Sequence, residues 1–272
     1  MIRVESDDSS ELVIDSPELA LAALESEDFQ VVRSGVESRY LPFDRLKDFR
    51  TNPNGAIRTS VAANPVTPPE WLREFATEIN EWIRAAVAAN PATPADVCAM
   101  LASDTQWWVR RGVAVNPEAS ADLLAGLVDD PEPDVTAALL ENASCPLDVL
   151  ARLAADEDSS TRTKVAEHPK SSAGLLTALA GDSDLWVRRA LVNHPDIPVE
   201  ILTMLADDEE ELVRQAVAEC DTTPLDLLEK LALDDDEEVR GAVHSNPSST
   251  SQIRASAALL GLPEEDDDDD EY

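Results

Sequence analysis

Lysine is almost missing from this sequence. Of 272 residues only Lys47, Lys164, Lys170 and Lys230 are lysine, and 21 basic side chains stand against 56 acidic ones, a formal charge of -35. A phosphate backbone must be neutralised by a basic face, so this balance argues against direct binding to nucleic acid. Glycine is scarce too, at eight residues, and histidine numbers three. No Gly-rich phosphate loop, dinucleotide fingerprint, nucleophile elbow or HExxH pattern occurs. The catalytic vocabulary is thin, and no enzyme activity and no catalytic residue are expected. Three scattered cysteines, Cys98, Cys145 and Cys220, suit reduced and mostly buried thiols rather than a disulfide scaffold. No stretch approaches the ~20 apolar residues that cross a bilayer. The opening MIRVESDDSSELVIDSP has neither the basic nor the apolar region of a secretory signal, so the expected location is the cytoplasm, with no membrane partner. Aromatics make up 4% of the chain against 43% hydrophobic residues, and the abundance of Ala and Leu favours many small helices over a β-rich core.

What is present is a repeat. Asn64, Asn90, Asn116, Asn142, His168, His194, Cys220 and Asn246 follow one another at steps of 26, and Pro comes directly after all but Asn142 and Cys220. Six positions before this column stand Arg58, Arg84, Arg110, Thr136, Arg162, Arg188, Arg214 and Arg240. Three before it stand Val61, Val87, Val113, Leu139, Val165, Leu191, Val217 and Val243. Pro recurs four positions after it, at Pro68, Pro94, Pro146, Pro198 and Pro224. Weaker copies come earlier. Pro17, Leu24 and Arg33 keep the spacing of Pro224, Leu231 and Arg240, and Phe49 and Arg58 keep the same step after a repeat shortened by one residue.

Within each repeat the apolar spacing is helical. In residues 194–220, Pro195 stops one helix and Pro198 suits the first turn of the next. Ile201, Leu202 and Leu205 line one face; Val213, Ala216, Val217 and Cys220 line a second. Two helices of two to three turns are marginal alone and persist by stacking on neighbouring repeats. The expected fold is therefore all-α: a right-handed α-solenoid of two-helix repeats with a 26-residue period. Residues 1–16 form an N-terminal cap or disordered segment, 17–262 the solenoid of nine to ten repeats, and 263–272 an acidic disordered tail.

The columns VRxxVAxNPxxP and LLxxLAxD resemble the leucine-rich repeat variant family. The resemblance implies a solenoid of alternating α- and 3₁₀-type helices without the strands of ordinary leucine-rich repeats, though a 26-residue period is a departure. The step from Asp208 to Val213 and Arg214 is similar to the HEAT repeat, in which Asp and Arg form a ladder between stacked units. Some members of the variant family carry an N-terminal cysteine cluster for an iron–sulfur centre. This chain lacks one, and no cofactor is expected.

Several columns invite a functional reading. Asp104 precedes Arg110, and Asp156, Asp182, Asp208 and Asp234 precede Arg162, Arg188, Arg214 and Arg240; Glu27 and Glu78 take that role before Arg33 and Arg84, and Asp130 faces Thr136, which breaks the series. A group copied once per repeat reads as structure, with Arg bridging carboxylates of adjacent repeats. The Asn column reads as helix capping, with αL backbone as one option. His168, His194 and Cys220 share that column, but stacked helices lie ~8–10 Å apart and zinc needs ligands at ~2.0–2.3 Å, so no metal site is expected. More informative are residues that vary. Eight before the column the sequence reads Ala56, Trp82, Trp108, Asp134, Ser160, Trp186, Leu212 and Glu238. By i, i+3 and i+7 spacing this position shares a face with the residues five and one before the column. If the second helix lines the concave side, as in HEAT-like arrays, Trp82, Trp108, Arg111, Trp186 and Arg189 point into the groove, and Trp and Arg are enriched at binding hot spots. Packing of the rings over inter-repeat seams is the plainer alternative. The expected function is a non-catalytic protein–protein interaction scaffold, with an acidic nucleic-acid mimic that occupies a DNA-binding protein as the alternative. The acidity fits either adaptation to a salty cytoplasm, as in a halophilic or high-GC prokaryote, or a basic partner.

Overall fold

The computed structural model describes residues 13–259. The tail expected at 263–272 and the first part of the expected N-terminal cap lie outside the described residues. Among the described residues the chain is all-α, with nineteen α-helices, two short 3₁₀ segments and no strand. No described helix is long and apolar enough to cross a membrane. The chain divides into two compact units, Met1–Val149 and Leu150–Tyr272.

The helices are short because the sequence stops each one on schedule. First helices begin after a cap at Ser16, Pro42, Pro68, Pro94, Ser120, Ser172, Pro198 or Pro224. Proline needs no donor there, while Ser16, Ser120 and Ser172 accept a hydrogen bond from the backbone N–H three residues on. These caps fall on one frame of 26 with no shortened repeat, which corrects the expected register at the N-terminus. Pro17 is the first helical residue rather than the cap. Arg33 therefore stands one position past the Arg column, where Val32 lies in frame.

In the first unit the second helices are Phe29–Glu37, Gly55–Ala63, Glu81–Ala89, Trp107–Val115 and Pro133–Glu141. They pack side by side, and a first helix such as Pro69–Phe75 wedges between two of them. Ile57, Ile83, Val109 and Val135 with Val61, Val87, Val113 and Leu139 form the buried face, closed by Leu72, Leu101 and Leu124. Each such side chain contributes ~1.5–3 kcal/mol on burial, which helices of this length need to persist. The tightest approach is at Gly112. A Cβ there would lie 2.8 Å from the Ala85 carbonyl oxygen and 2.8 Å from Ala88 Cβ. Glycine and alanine thus bring Glu81–Ala89 and Trp107–Val115 close together.

The second unit repeats the plan with Ser159–Glu167, Leu185–Ala190, Glu211–Glu219 and Glu237–Ser245. Val187, Val213 and Val239 with Val165, Leu191, Val217 and Val243 fill its core. The helix Leu185–Ala190 is cut short and continues as a 3₁₀ turn, Leu191–Asn193.

Candidate functional site

Most of the polar columns hold the stack together, and their geometry leaves them little freedom for chemistry. Asn116 is buried. Its Nδ2 donates to the carbonyls of Ala88 (2.8 Å) and Asn90 (2.9 Å) in the preceding repeat, and its Oδ1 accepts from Glu118 N–H at 2.9 Å. Asn64, Asn90, Asn142 and Asn246 make the same crossing bonds. Capping holds, but in extended backbone (Asn64 φ -66, ψ 123) rather than αL. Three residues on, the hydroxyls of Thr67, Thr93, Ser171, Thr223 and Ser249 each donate back to the carbonyl of the core Val six residues earlier.

The Arg ladder is real, but its side-chain partner is not the residue six before. Arg110 Nε and Nη2 grip the Asp130 carboxylate, twenty residues ahead, at 2.6 and 2.8 Å, while Arg110 Nη1 donates to the backbone carbonyl of Asp104 at 2.8 Å. Arg84–Asp104, Arg162–Asp182, Arg188–Asp208 and Arg214–Asp234 repeat this fork, and Arg58 uses Glu78. Asp130 is therefore paired, contrary to the break expected there; in the sequence the residue twenty before Asp156 is the uncharged Thr136. Arg33, out of frame, pairs with Glu37 and Ser60 rather than Glu27. The guanidinium bonds hold Asp130 and Asp182 below the ordinary carboxylate range, against burial. At Asp104, Asp208 and Asp234 burial is the largest single influence and pushes upward, but the Arg and backbone N–H bonds together outweigh it.

His194 imitates the Asn it replaces. Its Nδ1 accepts from Asp196 N–H at 3.1 Å and its Nε2 lies 3.1 Å from the His168 carbonyl oxygen, so both ring nitrogens serve the ladder. His168 Nδ1 accepts likewise from Lys170 N–H. Cys220 has no amide to offer; its Sγ lies 3.1 Å from Thr222 Oγ1, and a cleft of about 240 Å³ opens beside it, lined in part by Arg189, Asn193, Glu219 and Asp221. The Cys98 thiol is pushed up by burial.

The varying column behaves differently. Asn80 caps its helix by accepting from Trp82 N–H, which sets Trp82 on the outer face of the second-helix row, 59% exposed. Its ring stacks on Trp108 with centroids 5.5 Å apart and planes at 14°. The Gly112 approach allows this offset stack. Trp107 meets Trp108 edge-on at 5.6 Å, and the Trp108 Nε1 is buried without a hydrogen-bond partner among the described residues. Arg111 reaches Glu141 at 2.9 Å. In the second unit Trp186 is 54% exposed, and the Arg189 guanidinium lies 5.6 Å from its ring centroid. Trp82, Trp108 and Arg111 thus sit together in the first unit, and Trp186 and Arg189 in the second. Two features escaped the sequence reading. Arg33 belongs to the column of Arg111 and Arg189, and Arg50 lies 5.0 Å over Trp71; the first was hidden by the false register and the second has no periodic signal.

These features define a helical-repeat protein. Residues 185–210, one full period, match the family model of the leucine rich repeat variant, which bears out the resemblance drawn from the columns. A solved structure described as a leucine-rich repeat variant with a novel repetitive protein structural motif is 25% identical, with 74% of this chain and 80% of that chain covered and a TM-score of 0.48. Comparison with curated proteins gives no match.

Proposed function

We propose that the chain is a non-catalytic scaffold that binds a protein partner on the outer face of its second helices, through Trp82 and Trp108 in the first unit and Trp186 with Arg189 in the second. The observation that carries this reading is the exposed, stacked Trp82 ring on a column that otherwise varies freely from repeat to repeat. Ladder residues recur in almost every repeat because they hold the stack, whereas other repeats carry Ala56, Asp134, Ser160, Leu212 or Glu238 in the Trp column and form the same helices. Trp and Arg are enriched at binding hot spots, and a Trp ring buries a large area at low entropy cost. The test is partner capture from the native host by the full chain and by W82A, W108A and W186A. Loss of the recovered partner in W82A or W186A, with circular dichroism and melting point unchanged, supports the reading; equal recovery by all variants overturns it and favours diffuse charge, as in an acidic nucleic-acid mimic.

A further inference from the structure

We infer that the open face of the Trp82 indole receives an arginine side chain from a basic segment of that partner, and that Ala85 is the residue that keeps this place free. The inference rests on the recognition reading above and supplies the partner's chemistry.

The chain caps indole faces with its own guanidinium groups. Arg189, three residues after Trp186, lies 5.6 Å from that ring, and Arg50 lies 5.0 Å from Trp71. Trp82 occupies the column of Trp186, but the residue three further on is Ala85. Trp108 has Arg111 at that spacing, yet Arg111 turns to Glu141 and the Trp108 ring is covered by Trp82. Trp82 is thus stacked on one side, and among the described residues no cation lies over its ring. The repeats themselves display what such a ring takes.

Charge selects the same occupant. The face of an indole carries negative potential and attracts cations. Glu81 precedes Trp82, Asp134 continues the column beyond Trp108, and Arg111 is already engaged by Glu141. Over the whole chain the charge is -35, so an acidic segment or a second copy of this chain is repelled while a basic segment is steered in. Guanidinium suits the site better than ammonium because it is planar, stacks, and is less strongly hydrated. The stack on Trp108 fixes the ring in advance, which lowers the cost of ordering it on binding.

The experiment titrates the full chain into a fluorescently labelled peptide alternating Arg and Gly, followed by anisotropy at about 0.15 M and about 0.5 M salt, where screening separates diffuse attraction from contact. Lys–Gly and Glu–Gly peptides are run in parallel. The Arg peptide binds, the Lys peptide binds more weakly and the Glu peptide does not. W82A loses the binding that survives the higher salt. A85R, which supplies at Trp82 the guanidinium that Arg189 supplies at Trp186, weakens binding about two- to fivefold, the worth of one exposed cation–π contact. The column already carries Arg33, Arg111 and Arg189, so A85R keeps the fold, and a thermal melt verifies this. R189A uncovers Trp186, whose column neighbours are Ser160 and Leu212 rather than a ring, and adds a second, weaker site. Unchanged affinity in W82A and A85R, or equal binding of the Glu peptide, overturns the inference. If host partner capture is lost in W82A while the Arg peptide is silent, the inference falls and the recognition reading stands. If capture is indifferent to W82A, the recognition reading itself falls.

Discussion

Asn116 offers the sharpest test of what holds the repeats in register, because three substitutions there fail in three different ways. The side chain is fully buried and makes two crossing bonds to Ala88 and Asn90 carbonyls and one local bond from Glu118 N–H. N116A abolishes all three and leaves the Ala88 carbonyl without its partner, while the Asn90 carbonyl keeps its bond from Thr93 N–H. At ~1 kcal/mol net for each bond, with further cost for groups left unsatisfied, the loss is about 3 kcal/mol. N116H is milder, because His194 shows how imidazole serves: one nitrogen accepts from the residue two ahead and the other bonds the preceding column carbonyl. Only the Ala88 bond is lost, a cost of about 1 kcal/mol. N116D presents an acceptor to two carbonyl oxygens. The introduced carboxyl must hold a proton to bond there, so its folded pKa rises above ~3.9 and stability falls as pH rises through that folded value. At pH 7 the order of damage is N116H, N116A, N116D, and the last two converge as pH approaches about 4. Urea unfolding followed by circular dichroism gives the totals. Hydrogen exchange across Glu81–Ala89 and Trp107–Val115 localises the loss, which matters because repeat arrays can open in parts. A cost below about 1 kcal/mol for N116A, or N116D no worse than N116A at pH 7, would refute the reasoning.

Three further outcomes are expected. C220N restores the missing rung, since an amide there reaches the carbonyls of Val192 and His194; urea midpoints should rise by the equivalent of about 1–2 kcal/mol, and no rise would mean the cleft beside Cys220 does not accept the bond. Stability against pH should climb slightly from pH 7 to about 5 as exposed carboxylates lose charge, then fall below about 4. The lowered folded pKa values of Asp104, Asp130, Asp182, Asp208 and Asp234 give stability present above the unfolded value and lost as pH drops through the folded ones; a monotonic thermal profile would contradict this. Melting points should rise between about 0.05 M and about 1 M sodium chloride, because salt screens repulsion among surface acids such as Glu209, Glu211 and Asp235 more than the ladder pairs, which are mostly shielded; a flat or falling midpoint would show that the acidity is no load on the fold.

The period and the helical class were legible because one column residue per repeat suffices to mark both. The register at the N-terminus was not. The first repeat carries Ser16, Ala23 and Val32 where later ones carry Pro, Leu and Arg, and Pro17, Leu24 and Arg33, each one position late, imitate the signature. The ladder was visible as Asp and Arg spaced by six, yet spacing alone does not say which atoms meet. Arg110 uses both directions, taking the backbone of Asp104 and the carboxylate of Asp130. Helical spacing put Trp82 and Trp186 off the core face but left open whether the rings were exposed or packed over a seam, and it held no sign of the Trp82–Trp108 stack. The stack depends on how near two helices come, which is set at Gly112 and Ala88, small residues with no signal of their own.

The Asn rungs give this architecture a way to change length. Each rung takes its donor from a side chain but its acceptor from backbone, so Asn246 bonds the Cys220 carbonyl as well as Asn116 bonds that of Asn90. A block of 26 residues therefore brings its own hook and finds an eye on whatever block precedes it, regardless of the side chain there. Tandem duplication or deletion of whole blocks leaves each Asn rung with an acceptor, and a damaged hook, as at Cys220, weakens one junction without depriving the next.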